Sequence, residues 1–546
     1  MGSVTEYENP IIPGFAPDPS VVFVEGTYFL ATSSFHVFPG LPIYASKDLK
    51  KWTHIGNALN RHSQLKLRGA ATLHMPLDTG FSMVASMGIV APTLRYHKGT
   101  FYIVTTNAVV DEEDPDKIAT ENFFIRTNDI WSNEWSDPVY FDFHGIDTSL
   151  FFDDDDRAYI QGCWMIRRDR QPTCTIKQFE MDMDTGKPLS ETKEIWPGYA
   201  KYDTEGPHIY KVGGWYYLLA AEGGTFEHHM LSIARSRDIW GPYETWEGNP
   251  IMTADGKDEY IQNIGHGELF QDAEGRWWAA VLGVRKQADG THGLGRESFL
   301  APVDWPEGGW PTVQQPRMKF TRETVPPSLT AGADGSGMAP PPLVEDLYIR
   351  DHDASKYRYA DEGKTLLSLL PSRTDLSSPA ETSTFLGRRQ RFLDGEATVR
   401  VELAGMAGVE KKVTAGLALY KDPVRFGSVA FDFASKALVY EVRNSSIGLR
   451  GTVTRVIPQK LKGLDLRIKA TPLRYGFEAR LEYEEPKLGN EKGWIEMGSM
   501  EAKALDSRDF TGPVLGVFAH AGDEEGEGVE VTFRDFELRA KEHVHD

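Results

Sequence analysis

The chain has 546 residues, which at about 150 residues per domain corresponds to two to four domains. Hydrophobic residues make up 40% and charged residues 25%, as in an ordinary globular protein, and no apolar stretch reaches the roughly 18 residues of a membrane span. A net charge of −21 disfavours nucleic acid, anionic membranes and polyanionic substrates. We therefore expect neither a nucleic acid nor a membrane as partner.

The start of the chain and its cysteines bear on the compartment. The first ten residues lack an apolar core and a run of positive charge, so no signal peptide is visible. We expect a cytoplasmic protein, or a secreted one if a leader has been removed. Cys163 and Cys174 are too few for a disulfide framework or a zinc site, and we expect buried thiols, with one cross-strand bridge as the alternative.

A repeat organises the first 310 residues. An apolar strand, a Gly or Asp turn and a strand with paired aromatic residues recur five times. Residues 18–30 align without a gap with residues 91–103, and the other copies span 147–160, 205–219 and 266–281. Such units bury their faces only against one another, which favours a five-bladed β-propeller over a β-sandwich for this region.

The second half of the chain has a different organisation. Residues 326–342 are rich in Pro and Gly and hold too few apolar residues to pack, which indicates a linker. Beyond it, short alternating segments are typical of strands in a β-sandwich. The sequence thus predicts an all-β chain, with a five-bladed catalytic β-propeller at 1–325, a linker at 326–342 and a jelly-roll or lectin-like β-sandwich at 343–546.

The starts of the five repeats are predicted to converge, because the first strand of each propeller blade lines the central channel. These positions hold Asp18, Ala91, Asp147, Glu205 and His266, with Glu205 one residue ahead of the strict alignment. Each residue alone could be a turn former, a strand cap, a loop acid or a core histidine. Three carboxylates at one channel repel each other, however, and such clusters are usually kept for chemistry or for a cation.

Paired carboxylates that flank a glycosidic bond are the usual equipment for its hydrolysis. A third carboxylate near the acid would raise the pKa of the acid by like-charge repulsion and hold it protonated. We therefore assign Asp18 as general base, Glu205 as general acid and Asp147 as the pKa modulator.

Several segments resemble glycoside hydrolase family 43, the β-xylosidase and α-L-arabinofuranosidase group. They include NPIIPGFAPDPS, GIVAPTLRYHKGTFYIVTTN, DTSLFFDDDDRAYIQG, TEGPHIYKVGGWYYLLAAEGGT and LGRESFLAPVDW, in this order along the chain. The resemblance covers the propeller and extends into the sandwich. It implies five blades, inversion by single displacement, and the three roles assigned to Asp18, Asp147 and Glu205.

The resemblance also implies how two further polar residues act. Arg296 would donate hydrogen bonds to hydroxyls of the bound pentose, with an ion pair to Glu297 or Asp304 as the alternative. His266 would support the site through water or, in some members of the family, through a calcium ion. We expect no required cofactor and no metal ligand set, with calcium at His266 as the minority alternative.

The remaining predicted contacts concern the sugar pocket. Phe35 and Trp164 resemble aromatic residues that contact the sugar, although aromatic side chains are also common in cores. Val90 stands where many β-xylosidases of the family carry an aromatic residue, and His36 stands where they often carry an acid. Together with an extended segment at 63–83, these departures resemble the arabinofuranosidase branch.

The predicted function is an inverting, exo-acting glycoside hydrolase that releases terminal α-L-arabinofuranosyl or β-D-xylosyl units from arabinoxylan or xylo-oligosaccharides. One alternative is a strict β-xylosidase. A second is a non-catalytic carbohydrate-binding propeller, in which the acids would hold hydroxyls or calcium. A fructan hydrolase of similar architecture is a third, although those enzymes retain configuration and have a different first acidic motif.

Overall fold

The structure is a computed structural model, and it describes residues 3–76, 82–111, 118–167, 170–324, 338–403, 411–457, 460–484 and 493–541. Strands dominate these ranges. Their helical segments are one short α-helix, Glu524–Glu527, and the 3-10 turns Ala354–Lys356, Ser445–Ile447 and Ala502–Ala504. None of the helices described is long and apolar enough to cross a membrane. The prediction of an all-β chain is confirmed.

The first part of the described chain contains five antiparallel sheets of four or five strands. The first sheet comprises Ser20–Val24, Thr27–Ala31, Gly40–Ser46 and Thr53–Leu59. The second comprises Gly88–His97, Thr100–Val110, Ile118–Thr127 and Val139–Phe141. The third comprises Gly145–Phe152, Ala158–Met165, Cys174–Asp182, Lys187–Pro188 and Lys193–Trp196. The fourth comprises Glu205–Val212, Trp215–Glu222, Met230–Ser236, Glu244–Thr245 and Met252–Thr253. The fifth comprises Ile261–Gln271, Trp277–Arg285, Glu297–Asp304 and Thr312–Val313.

These sheets are arranged radially. The first strand of each sheet contacts the first strands of its two neighbours, and the first strand of the fifth sheet returns to that of the first. The two ends of this part of the chain are also joined. Ser3–Glu8 pairs with Lys319–Thr324 in a separate two-stranded antiparallel sheet. A channel therefore runs between the five first strands, as in a propeller.

A backbone feature repeats around this channel. The residue at the strictly aligned start of each repeat has a positive φ angle: Asp18 57°, Ala91 48°, Asp147 56°, Gly206 55° and His266 33°. A left-handed φ is uncommon in residues other than glycine, and it persists only where the surrounding structure imposes it. In the fourth repeat this position is a glycine, and the acidic residue Glu205 immediately precedes it.

The C-terminal part is a sandwich of two antiparallel sheets. One has the strand order Tyr357–Tyr359, Leu366–Leu369, Val531–Ala540, Gly395–Glu402, Leu461–Thr471, Arg474–Tyr483 and Ile495–Glu501. The other has the order Phe385–Arg389, Val514–Ala521, Val413–Asp422, Arg425–Asp432, Ala437–Asn444 and Leu449–Val456. Their inner faces enclose an apolar core that includes Leu417, Val429 and Leu466. The predicted sandwich is confirmed.

The six-stranded sheet also packs against the propeller. Phe35 and Val37 of the propeller share one buried cluster with Tyr420, Phe426 and Phe518 of the sandwich. Two small sheets bridge the same interface: Val37–Phe38 pairs with Tyr348–Ile349, and Thr72–Pro76 pairs with Ser82–Ser86, which in turn pairs with Arg508–Asp509. The apolar interface thus brings sandwich residues close to the first two sheets of the propeller.

Two features of the sequence analysis fall partly outside the described residues. These are the linker predicted at 326–342, which is described only from residue 338, and the segment 63–83, in which 77–81 are not described. The domain boundaries at 325 and 343 stay predictions.

Candidate active site

Three of the residues predicted to converge, Asp18, Asp147 and His266, lie within contact range of one another. Nδ1 of His266 is 3.8 Å from Oδ1 of Asp18 and 3.6 Å from Oδ2 of Asp147. The two aspartates are only 4% and 6% exposed, so their carboxyl groups are largely removed from water. The repeat therefore builds a buried cluster of two carboxyl groups and one imidazole from the first, third and fifth sheets.

The environment of Asp18 favours its charged form. The Ser33 hydroxyl donates a hydrogen bond to Oδ2 of Asp18 at 2.6 Å, and Nη1 of Arg296 donates to Oδ1 at 3.3 Å. Burial raises the pKa of Asp18, but Arg296, His266 and the Ser33 hydroxyl outweigh it and hold the pKa below its ordinary value. Asp18 is therefore ionised at neutral pH.

The environment of Asp147 has the opposite effect. Burial is the largest cause and, with the nearby charge of Asp18, raises the pKa of Asp147 to about 6, although His266 acts against the shift. The N–H of Gly206 donates to Oδ2 of Asp147 at 3.1 Å and also favours the charged form. Two carboxyl groups of the same cluster thus hold their protons with different strength, a common arrangement in acid–base sites.

Glu205 begins the first strand of the fourth sheet and is half-buried. Its neighbour Gly206 makes the hydrogen bond to Asp147, which ties the backbone beside Glu205 to the aspartate cluster. Glu205 also acts on the buried thiol of Cys163: the pKa of Cys163 is raised by a hydrogen bond with Cys174, by burial, and by the charges of Glu205 and Asp147. Both cysteines are buried and free, as the first of the two sequence alternatives expects.

A second polar layer lies two residues further along the same strands. Glu268 accepts hydrogen bonds from the Ser20 hydroxyl and from the N–H of Val21, and forms an ion pair with Arg95. Arg95 also contacts Nδ1 of His208 at 3.1 Å. Sequence reasoning missed this layer, because the positive φ angles and register shifts at the repeat starts interrupt the regular alternation of side chains along these strands.

Arg296 lies inside the cluster and is 6% exposed. Besides Asp18, its Nη1 donates to the Thr225 hydroxyl at 3.1 Å, and its Nε donates to the carbonyl of Phe510 at 3.1 Å. The alternative of an ion pair with Glu297 or Asp304 is wrong, because Glu297 pairs with Arg285 instead.

The other predicted binding residues occupy two different surroundings. Phe35 is buried beside the Arg296 guanidinium, whose carbon is 5.5 Å from the ring centre, and Val90 packs half-buried against the cluster that contains Phe35. His36 instead faces the sandwich, 6.0 Å from the Tyr420 ring, where burial and Arg350 lower its pKa to about 3.

Trp164 is half-buried at the end of its strand in the third sheet. Its ring packs edge-on against Phe143 and His144, and the Lys177 ammonium lies 3.9 Å from the ring centre. Its strand partner Gly145 is two residues from Asp147, but the ring contacts given above involve no residue of the acidic cluster. Contact of Trp164 with the sugar stays a prediction.

From the sequence, the sandwich could support the propeller, supply a loop to the active site or bind polysaccharide, and the structure shows that it supplies a loop beside Arg296. The ring of Phe510 stacks on Phe35 at 6.0 Å and on Phe226 at 6.2 Å, and it lies 5.3 Å from the Arg296 guanidinium carbon. Nothing in the local sequence around residue 510 signals this role, because the contact depends on how two domains dock.

The described residues contain no group of three or more His, Cys, Asp or Glu side chains arranged to hold a metal ion. His266 has two carboxylate neighbours, but neither lies within hydrogen-bond distance of its Nδ1. Calcium at His266 stays a minority alternative.

Comparison with known proteins gives relatives for both halves. An α-L-arabinofuranosidase acting at non-reducing ends, BoGH43B of Bacteroides ovatus, is 39% identical over 308 residues, which are 56% of this chain and 53% of that protein. A xylosidase/arabinosidase of Butyrivibrio fibrisolvens is 38% identical over 326 residues, 58% of each chain. The chain thus spans between half and three fifths of the length of these curated relatives.

Solved structures match along nearly the whole chain. A xylan β-1,4-xylosidase from Bacillus halodurans has a TM-score of 0.81 at 27% identity, with 97% of this chain and 100% of that chain covered. The GH43B protein of a Bacteroides ovatus xyloglucan locus has a TM-score of 0.79 at 28% identity, with coverages of 98% and 100%.

Family models match the two parts separately. Residues 7–311 match glycosyl hydrolases family 43, and residues 348–539 match the β-xylosidase C-terminal concanavalin A-like domain. The acidic cluster described above lies inside the first match, and the loop that carries Phe510 lies inside the second. The chain belongs to glycosyl hydrolase family 43.

Proposed function

We propose that the chain is an inverting, exo-acting glycoside hydrolase that removes terminal α-L-arabinofuranosyl or β-D-xylosyl units from arabinoxylan or xylo-oligosaccharides. The observation that carries this proposal is the buried cluster in which Arg296 and His266 lie beside Asp18, and in which Asp147 is hydrogen-bonded to the backbone next to Glu205. Hydrolysis of a glycosidic bond needs one carboxylate that accepts a proton and one carboxyl group that gives one.

In this proposal Asp18 is the general base. Its ionised carboxylate takes a proton from a water molecule as that water attacks the anomeric carbon. The hydrogen bonds from Ser33 and Arg296 keep the carboxylate oriented and charged before the reaction. Arg296 also carries donors that suit sugar hydroxyls, because a guanidinium presents five N–H groups in one plane.

Glu205 is the proposed general acid, which protonates the leaving glycosidic oxygen. Asp147 is bound to the backbone beside Glu205 through Gly206, and a negative charge there would keep the pKa of Glu205 high. Inversion requires the acid and the base to be about 6.5–9.5 Å apart, so that a water molecule fits between the sugar and Asp18.

The substrate preference follows from the pocket wall. Val90 packs beside Phe35 in the cluster that also receives Phe510. A valine there leaves more room at the pocket rim than the aromatic residue of many family members, which favours a branched substrate. We therefore propose that terminal arabinofuranosyl groups on a xylan backbone are preferred to xylobiose.

Chromatography of the released sugars tests the proposal on 4-nitrophenyl β-D-xyloside, 4-nitrophenyl α-L-arabinofuranoside, xylobiose and branched arabinoxylan oligosaccharides, with Glu205→Ala as the control. Arabinose from the branched substrates without shortening of the backbone is the expected result. Xylose from xylobiose would instead indicate a strict β-xylosidase. Measurable sugar affinity without any turnover would favour the non-catalytic binding protein.

A further inference from the structure

A loop of the sandwich, residues 505–511, reaches into the acidic cluster of the propeller; we refer to it as the site loop. Its Arg508–Asp509 strand runs parallel to Ser82–Ser86 of the propeller. The next residue, Phe510, accepts the hydrogen bond from Nε of Arg296 at 3.1 Å. One of the contacts that fix the Arg296 guanidinium beside Asp18 therefore comes from the other domain.

The site loop is anchored by an ion cluster inside the sandwich. The Asp509 carboxylate accepts hydrogen bonds from Nζ of Lys421 at 2.7 Å and from Nη1 of Arg425. The same two cations donate to the carbonyl of Leu505, at 3.2 Å and 2.8 Å. Arg425 is also paired with Asp422, and none of these four charged side chains is more than 5% exposed.

Burying four charges is costly, and well-packed apolar residues would often give equal stability. Charge pairs at such depth do give fixed geometry, because each partner has few alternative positions. Here two residues of the site loop, Leu505 and Asp509, are bound by the same Lys421 and Arg425 side chains. The cluster therefore holds in place the segment that presents Phe510 to Arg296.

A second contact links the site loop to another hydrogen-bond partner of Arg296, Thr225. Nη2 of Arg508 donates to both carboxylate oxygens of Glu227 at 3.0 Å. Glu227 belongs to the propeller segment that carries Thr225, whose hydroxyl accepts a hydrogen bond from Nη1 of Arg296 at 3.1 Å. The site loop thus acts on the guanidinium directly through Phe510 and indirectly through this segment.

We propose that the buried Asp509–Lys421–Arg425 cluster is a positioning device through which the sandwich fixes Arg296 against Asp18 and so sets the acidic limit of activity. The inference rests on the proposed role of Asp18 as general base. The charged and titratable groups that face Asp18 are Arg296, His266, His229 and Asp147. Of these, only Arg296 is bound by the site loop.

The test is the pH dependence of kcat/KM for Asp509→Asn on 4-nitrophenyl α-L-arabinofuranoside and 4-nitrophenyl β-D-xyloside. A looser site loop leaves Arg296 less well fixed, so the pKa of Asp18 rises and the acidic limb moves to higher pH. We expect a shift of about half a pH unit and a fall of roughly tenfold in kcat/KM. Turnover by the unchanged chain is measured first, so that failure of the proposed function is recognised separately.

Asp346→Asn is the matched control. Asp346 is also buried and ion-paired, to Nε of Arg388 at 2.7 Å, but neither residue contacts the acidic cluster. We expect this variant to lower the melting temperature without moving the acidic limb.

Arg508→Gln, at a partly exposed site, is the second variant if Asp509→Asn does not fold, and a smaller shift in the same direction is expected. Unchanged acidic limbs in the folded site-loop variants, or equal shifts in Asp346→Asn, would overturn the proposal.

Discussion

Two buried charge clusters of the molecule are built on opposite principles. In the sandwich, Asp422 and Asp509 are matched by Arg425 and Lys421, and the pKa of Asp509 is lowered because those cations outweigh its burial. At the propeller centre, Asp18 and Asp147 share one guanidinium and one imidazole, and the pKa of Asp147 is raised. In the first cluster Asp422 and Asp509 are each paired with a cation, whereas in the second Asp147 is able to take up a proton near neutral pH.

This difference separates stability from chemistry. A balanced buried cluster becomes an uncompensated buried charge when one partner is lost, which destabilises the fold. A cluster of like charges already destabilises the fold. Such clusters occur mainly at functional sites, where a carboxyl group that takes up or releases a proton is needed. Substitutions at the propeller centre should therefore reduce mainly activity, whereas substitutions in the sandwich cluster should reduce mainly stability, and the predictions below test that contrast.

The largest effect on activity is expected at the propeller centre. Asp18→Asn removes the carboxylate that accepts the proton of water, and kcat should fall by about 10²–10⁴-fold. Steady-state kinetics on both aryl glycosides measure the loss, and thermal unfolding shows whether the fold is kept. A variant that is folded and retains most of its activity would contradict the assignment of Asp18.

Glu205→Ala should affect substrates according to their leaving groups. Natural linkages need a proton on the leaving oxygen, so their hydrolysis should fall by about 10²–10⁴-fold. 4-Nitrophenyl glycosides need that proton far less and should lose much less activity. The comparison requires kcat/KM on an aryl glycoside and on an oligosaccharide with the same terminal sugar. Equal losses on both would count against Glu205 as the acid.

In the sandwich, the expected effect is on stability. Asp422→Asn leaves Arg425 with one buried carboxylate partner fewer, and we expect the free energy of unfolding to fall by about 3–5 kcal/mol. Urea denaturation of the whole chain at neutral pH, compared with Asp147→Asn, measures the contrast. A stability loss at Asp147 as large as that at Asp422 would argue against the distinction between the two clusters.

Asp147 should make the free energy of unfolding depend on pH, and its substitution should stabilise the fold, unlike that of Asp422. Because its pKa is raised from 3.8 to about 6 in the folded state, the folded chain binds this proton more tightly than the unfolded chain. The stabilisation is present below the unfolded pKa and is lost as pH rises through about 6. Asp147→Asn should therefore be more stable than the unchanged chain above that pH, by ~1–3 kcal/mol. Thermal unfolding across pH checks the sign, and a destabilised variant above pH 6 would contradict it.

The smallest effect concerns specificity. Val90→Trp places a ring at the pocket rim, and we expect the ratio of arabinofuranosidase to xylosidase activity to fall by about 10-fold, the scale of a changed apolar pocket contact. Val90→Ile is the matched control, because it adds bulk without a ring. If the unchanged chain, Val90→Trp and Val90→Ile show the same activity ratio, Val90 does not determine the substrate preference.

The centre of the propeller could be predicted from the sequence because it is periodic. The repeat predicted that Asp18, Asp147 and His266 come together, and they do lie in one cluster. Glu205 precedes the equivalent position, which Gly206 occupies. The strands of the sandwich were likewise visible as alternating segments. These features depend on local spacing, which a sequence displays directly.

The rest of the site depends on contacts between distant segments. Phe510 meets Arg296 across 214 residues, and no local periodicity records how the two domains dock. His36 and Phe35 are neighbours in sequence, yet His36 faces Tyr420 of the sandwich while Phe35 faces Arg296. Sequence alone could not separate them, since both positions are buried and only the interdomain interface decides which side chain faces the acids.

The most direct test of the central claim is the anomeric configuration of the first product, followed by ¹H NMR during early hydrolysis of an aryl glycoside. Single displacement with Asp18 as base and Glu205 as acid predicts a product whose configuration is inverted relative to the substrate. A product that retains the configuration would require a covalent intermediate and would contradict the roles proposed for both residues.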